Sequence, residues 1–223
     1  MIVRLHNLSA RHPSFGDAAE VADLLRFCEP DEAERAEITE EAIRQAWQNM
    51  QLPADAWVIA TRQGQLVGYA DVRNSEAGQY TLTLYVHPDY RGRGIGTLLI
   101  WLAEERARQM LLDLAVETHV TLSITVSCLG QSACRLLERE GYTHTRSFWR
   151  LMIDMPDALQ DTNYFSRGGK LRLNMVLDAQ HNVDVQDGMY LARQYAVYSK
   201  VLRAGVEAQP IQDVEQCCEA LAI

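Results

Sequence analysis

The run Arg91-Gly92-Arg93-Gly94-Ile95-Gly96 is where this sequence is equipped to do chemistry. An alternating apolar run, Gln79–Val86, ends shortly before it, and a strongly helical pattern follows to about Met110. Backbone N–H groups at a helix start have no intrahelical acceptor, and the helix dipole adds positive potential there. Gly92, Gly94 and Gly96 remove Cβ atoms, so the backbone can wrap closely around a ligand oxygen, while Arg91 and Arg93 add charge. A strand, a basic glycine turn and a helix start together form an anion site suited to a pyrophosphate.

Two common phosphate motifs are excluded. The Lys-Ser/Thr ending of a P-loop is missing. The glycine spacing is wrong for the dinucleotide-binding fingerprint, and the strands before the loop read as antiparallel rather than as a parallel βαβ unit.

The elements that must position this loop follow from periodicity. Residues 2–5 form a short apolar opening that reads as a strand. From Asp17, Val21, Leu24, Leu25 and Cys28 recur at helical spacing until Pro30. An acidic stretch runs from Glu29 to Glu41, and Thr39 reads as the N-cap of a second helix with Ile43, Ala46, Trp47 and Met50 on one face. Ala56–Thr61 and residues 65–72 flank a glycine-containing turn, and Gln79–Val86 completes an antiparallel meander. After the long helix come a strand at 120–126, a short helix at 131–140 closed by Gly141, and one long strand or hairpin over 142–154. The order predicts an α+β fold, an α/β sandwich whose mixed, mostly antiparallel sheet is flanked by helices.

Residues 1–154 are expected to form the main domain and 155–223 a C-terminal extension. Within the extension, alternation predicts a strand at about 170–178. Leu191, Tyr195, Tyr198 and Leu202 predict an amphipathic helix at about 184–204. Such a tail needs a partner surface: it could extend the sheet, cover a groove or form a homodimer contact.

Composition narrows the function classes. With 223 residues, a net charge of -9 and a pI near 5.1, the chain has no general affinity for nucleic acid or anionic membranes. Its acidity mildly favours a cationic substrate. Cys28, Cys128, Cys134, Cys217 and Cys218 are scattered without a CxxC pair, so neither a disulfide framework nor a metal site is expected. No signal peptide or membrane span is expected, which makes the default location cytoplasmic.

The pattern Val86-x-Pro88-x-x-Arg91-Gly92-x-Gly94-Ile95-Gly96 resembles the Arg/Gln-x-x-Gly-x-Gly acyl-CoA signature of the GNAT superfamily of N-acyltransferases. The resemblance covers roughly residues 1–154. It implies acetyl-CoA as co-substrate, with no metal. It further implies that backbone groups of Leu84, Tyr85 and Val86 pair with the pantetheine arm like an added strand. Arg91 and the segment Gly92, Arg93, Gly94, Ile95, Gly96 and Thr97 would hold the pyrophosphate, and the N–H near Tyr85 would polarise the thioester carbonyl. The implied activity is an N-acetyltransferase in which a primary amine of a small molecule or peptide attacks acetyl-CoA directly in a ternary complex.

Two departures from the family pattern stand out. Gly130 replaces an expected asparagine, and Leu137 replaces the tyrosine that protonates the departing thiolate. No carboxylate lies on Gln79–Val86 to act as base, so Tyr85 and His87 are the candidate catalytic side chains. Glu29 and Asp31, on the acidic segment that forms the acceptor wall in the family, are further options for relayed proton removal. The same departures keep open an alternative, a non-catalytic acyl-CoA-binding regulatory protein.

Overall fold

The computed structural model describes residues 7–29, 32–111, 115, 118–128, 131–154, 170–175 and 189–204. The opening strand read at 2–5 lies outside them, and the first strand described is β1, Leu8–Arg11. The helices α1 (Ala18–Cys28), α2 (Glu32–Glu37), α3 (Glu40–Trp47) and α4 (Leu52–Asp55) follow. Thr39 caps α3 as expected, its hydroxyl accepting from the Ala42 N–H at 3.1 Å. The meander is β2 (Ala56–Thr61), β3 (Leu66–Glu76) and β4 (Gln79–Val86); then come α5 (Ile95–Met110), β5 (Val120–Ser127), α6 (Gln131–Arg139) and the single long strand β6 (Thr143–Asp154).

Two more strands complete the sheet. β7 is Lys170–Met175, within the strand expected at 170–178. β8 is Met189–Arg203, where the heptad-like stripe had predicted a helix. The stripe misleads for a physical reason. Four consecutive residues, Tyr195, Ala196, Val197 and Tyr198, are buried, as they must be in a central strand covered on both faces, so the two-residue alternation is absent. Register shifts opposite Val120/Thr121 and His144/Arg146 break the remaining periodicity. Aromatic and β-branched residues in that run then favour the strand.

The eight strands among the described residues form one sheet in the order β1-β2-β3-β4-β5-β8-β6-β7. Every neighbouring pair is antiparallel except β4 and β5. The tail therefore supplies a strand inside the sheet, between β5 and β6, which corrects the expected strand–helix extension.

The sheet has a core on each face. Ile95, Leu99, Ile100 and Ala103 of α5 and Leu137 of α6 pack with Leu82, Leu122 and Tyr198. On the opposite face, Val21 and Leu25 of α1 and Ile43 and Trp47 of α3 pack with Val58 and Tyr69. Burial of these large apolar side chains supplies the main drive to fold, about 2 kcal/mol each.

Candidate active site

The parallel pairing of β4 with β5 runs only from Gln79–Thr121 to Leu82–Ile124. Beyond that point β4 stays laddered to β3 as far as Val86–Gly68, and β5 stays laddered to β8 as far as Ser127–Tyr195. The two strands thus part company, and a wedge opens in the sheet between Thr83–Val86 on one side and Thr125–Ser127 on the other. Leu84 and Val86 pack towards the α5 core, while Tyr85 packs towards α1 and lies in register with Tyr69.

The glycine loop sits at the open end of this wedge. The His87 N–H donates to the Val67 carbonyl at 2.9 Å, and a short 3-10 turn, Pro88–Tyr90, redirects the chain. Gly92 and Gly94 have φ of 76° and 87°, in the left-handed region that a side chain disfavours. Gly94 is the N-cap of α5 and offers no side chain to its first-turn amides. A Cβ at Gly92 would meet nothing within 4 Å, so the backbone there borders open space.

Gly96 has a different reason to be glycine. Its missing Cβ would lie 2.7 Å from Leu136 Cδ2, so it lets α6 pack against α5. Ile95 and Thr97 likewise turn their side chains inward. Ile95 is buried against Gly68, and the buried Thr97 hydroxyl donates to Glu140 Oε1 at 3.2 Å and accepts from Arg139 Nη2 at 2.8 Å.

Arg91 is exposed, and its charge partly offsets the upward shift of the neighbouring Cys28 thiol. Arg93 lies over the Tyr90 ring at 4.6 Å and donates to the Asp89 carbonyl at 3.2 Å. His87 is buried. Its ring stacks on Phe27 with centroids 4.4 Å apart and meets Tyr90 edge-on at 5.7 Å. Its Nδ1 accepts from the Asp89 N–H at 3.3 Å, so it caps the turn that leads into the loop.

On the α1 face the wedge is walled by groups the sequence reading did not bring together. Cys28, at the end of α1, donates through its thiol to the Val86 carbonyl at 3.6 Å, which places Glu29 beside the C-terminal end of β4. Glu29 Oε1 is 2.5 Å from Arg193 Nη1 of β8, and both residues are buried. Arg193 was hidden by the helical reading of its segment; Asp31 lies outside the described residues.

The fully buried Asp71 on β3, in register with Thr83, was missed as well. It accepts from Tyr69 Oη at 2.6 Å and from Arg73 Nε and Nη2 at 2.9 and 3.0 Å, while Trp47 Nε1 donates to Tyr69 Oη at 2.8 Å. Burial and the adjacent Asp71 carboxylate push the Tyr69 phenol far above its usual range. The i, i+2 spacing of Tyr69, Asp71 and Arg73 on a strand was the available signal.

Leu137, at the position where the family pattern expects a tyrosine, is buried in the α5 core. A hydroxyl does approach α6 from the sheet: Tyr198 Oη of β8 donates to Glu138 Oε1 at 3.2 Å.

The GNAT acetyltransferase family model matches residues 18–142, which is more than half of the chain and includes the whole wedge and loop. The chain belongs to that family. It is accordingly an acyltransferase. Among solved structures, a GCN5-related N-acetyltransferase from Sphaerobacter thermophilus matches with a TM-score of 0.73 at 18% identity, covering 90% of this chain and 97% of its own. The structure of yncA from Salmonella typhimurium matches at 0.58 and 14%, covering 93% and 100%. A phosphinothricin acetyltransferase from Sinorhizobium meliloti matches at 0.57 and 13%, covering 95% and 97%. At these identities the likeness is one of fold, and its coverage extends the GNAT architecture well past residue 154. No curated protein matches the sequence.

Proposed function

We propose that this GNAT protein transfers the acetyl group of acetyl-CoA to a primary amine of a small molecule or peptide, within a ternary complex. The observation that carries the reading is the wedge between β4 and β5, which opens onto the positive-φ glycines at the start of α5. The structures from Salmonella typhimurium and Sinorhizobium meliloti are of complexes with acetyl-CoA, which supports that co-substrate.

In this reading the pantetheine arm lies in the wedge along Leu84, Tyr85 and Val86, and the pyrophosphate lies on the backbone from Gly92 through Thr97, with Arg91 and Arg93 adding charge. The acceptor amine, after losing a proton, attacks the thioester carbon from the α1 face. The C–N bond forms, the carbonyl oxygen gathers negative charge beside the Tyr85 N–H, and the C–S bond then breaks. The thiolate takes up a proton from solvent or a neighbouring hydroxyl, since Leu137 has none to give. Tyr85, facing α1, passes the proton lost by the ammonium on to solvent, and His87 contributes by holding the turn into the loop.

A second reading is a catalytically weak acyltransferase that serves mainly to bind acyl-CoA, favoured by the apolar burial of Leu137. Free-thiol release from acetyl-CoA across an amine panel separates the two. Amine-dependent thiol release supports the transferase. Saturable acetyl-CoA binding with no such release supports the binding protein. Protection against thermal unfolding by ATP in place of CoA would overturn both.

A further inference from the structure

We infer that the acceptor is an amine that also carries a carboxylate, with Glu29 receiving its ammonium group and Arg193 its carboxylate. This rests on the acetyl-CoA reading of the wedge. The two residues are 164 positions apart, yet they meet at 2.5 Å, both buried. Their place in the sheet is specific. Glu29 follows Cys28, whose thiol touches the Val86 carbonyl at the end of β4. Arg193 lies two residues beyond Tyr195, which pairs with Ser127 at the end of β5. The link from α1 to β8 therefore crosses the open end of the wedge on the α1 face, beside Tyr85, where an acceptor must come to reach a thioester held in the wedge.

A buried ion pair at that place acts as a filter. Opening it separates two opposite charges in a poorly solvated setting. A zwitterionic acceptor replaces both halves at once: its ammonium takes the place of Arg193 at Glu29, and its carboxylate takes the place of Glu29 at Arg193. Each of the two buried residues keeps an opposite charge beside it. A simple amine competes for Glu29 but returns nothing to Arg193, so its binding bears the cost of a buried guanidinium stripped of that carboxylate. The guanidinium fork also suits a carboxylate geometrically, since it binds both oxygens at once. Arg35, whose Nε and Nη2 donate to the Glu29 carbonyl at 3.0 and 2.9 Å, fixes the backbone that presents the Glu29 side chain.

The test compares leucine, phenylalanine, lysine and glutamate, each against its decarboxylated amine, by thiol release from acetyl-CoA, alongside direct titration with acetyl-CoA. For at least one pair, kcat/KM should favour the carboxylate-bearing acceptor by roughly a hundredfold. Arg193→Met should remove that preference, mainly through KM for the amino acid, while leaving acetyl-CoA affinity within about twofold. Rates that fall equally for both acceptors of a pair in Arg193→Met would make the ion pair a structural staple and overturn the proposal. Turnover of simple amines alone would overturn it too, as would acetyl-CoA binding without turnover of any amino acid tested. Either result leaves the cofactor reading standing. Absence of acetyl-CoA binding in the unaltered protein would instead overturn that reading and this proposal with it.

Discussion

Lys200 of β8 and Glu104 of the long helix α5 are joined at 2.7 Å, and this contact ties β8 to the core of the GNAT domain. The Glu104 carboxylate is 5% exposed and is shared with Arg108 Nη2 at 2.8 Å, while Lys200 also donates to the Glu140 carbonyl at 2.7 Å. Removing the ammonium leaves a buried carboxylate with one cation instead of two. Lys200→Met should therefore lower stability by about 2 kcal/mol, the remaining Arg108 contact keeping the loss below that of a fully broken buried pair. Urea denaturation reads this directly. An unchanged midpoint would mean that β8 is held by its backbone ladders alone.

Gly96 and Leu136 should show coupled energetics. Alanine favours a helix over glycine by about 1 kcal/mol, whereas overpacking costs typically ~1–3 kcal/mol, so Gly96→Ala alone is expected to be destabilising. The obstacle is the 2.7 Å approach to Leu136 Cδ2. In a Leu136→Ala background the same change should become neutral or stabilising. A double-mutant cycle on unfolding free energies measures this, and strict additivity would refute the packing explanation for Gly96.

Asp17 gives a pH signature. It accepts from Arg11 Nη1 and Nη2 at 2.9 and 2.6 Å and from the Ser14 N–H at 2.7 Å, and these bonds, Arg11 foremost, hold its carboxyl well below the usual carboxylate range. A depressed folded-state pKa contributes stability above the unfolded value, near 4, and the contribution shrinks as pH falls towards the folded value. With Arg11 largely in solvent, Asp17→Asn should cost about 1 kcal/mol at neutral pH. That difference should dwindle steadily below about pH 4. A gap that stayed constant with pH would show the charge to be irrelevant.

Cys28 should be a poor nucleophile despite its place beside the wedge. Burial pushes its thiol up to about 11, with nearby Arg91 only partly offsetting this. At pH 8 the thiolate is then roughly one part in a thousand. Site-resolved mass spectrometry of iodoacetamide labelling should find Cys28 modified at least about tenfold more slowly in the native protein than in urea. Equal rates would contradict the packing of the thiol against Val86.

The parts of this protein legible in its sequence were those marked by turns, caps or one buried face. β2 and β3 are buried on both faces and were marked by the glycine turn between them, β4 began with the two-residue alternation, Thr39 announced a helix start, and the glycines announced the loop. β8 was not legible because it is covered on both faces and bulged against both neighbours, so Tyr195 and Tyr198 fell on a helical stripe by coincidence. That single misreading hid Arg193 and with it the wall of the wedge. The wedge itself leaves no local signature, since the β4–β5 ladder ends at Leu82–Ile124 while β5 goes on pairing with β8, a strand far along the chain. Gly96 was read for the backbone it offers a ligand, and the room its absent side chain leaves for Leu136 was not legible; Gly92 and Gly94 have the positive φ angles the loop requires.

The central claim is that acetyl-CoA lies between β4 and β5 with its pyrophosphate on the start of α5. Backbone amide NMR during titration with acetyl-CoA tests it most directly, because the proposed contacts are themselves backbone groups. The largest shifts should fall on Leu84, Tyr85 and Val86 and on Gly92 through Thr97, saturating together with one affinity. Saturable binding that left both segments unmoved and perturbed amides elsewhere would contradict the account.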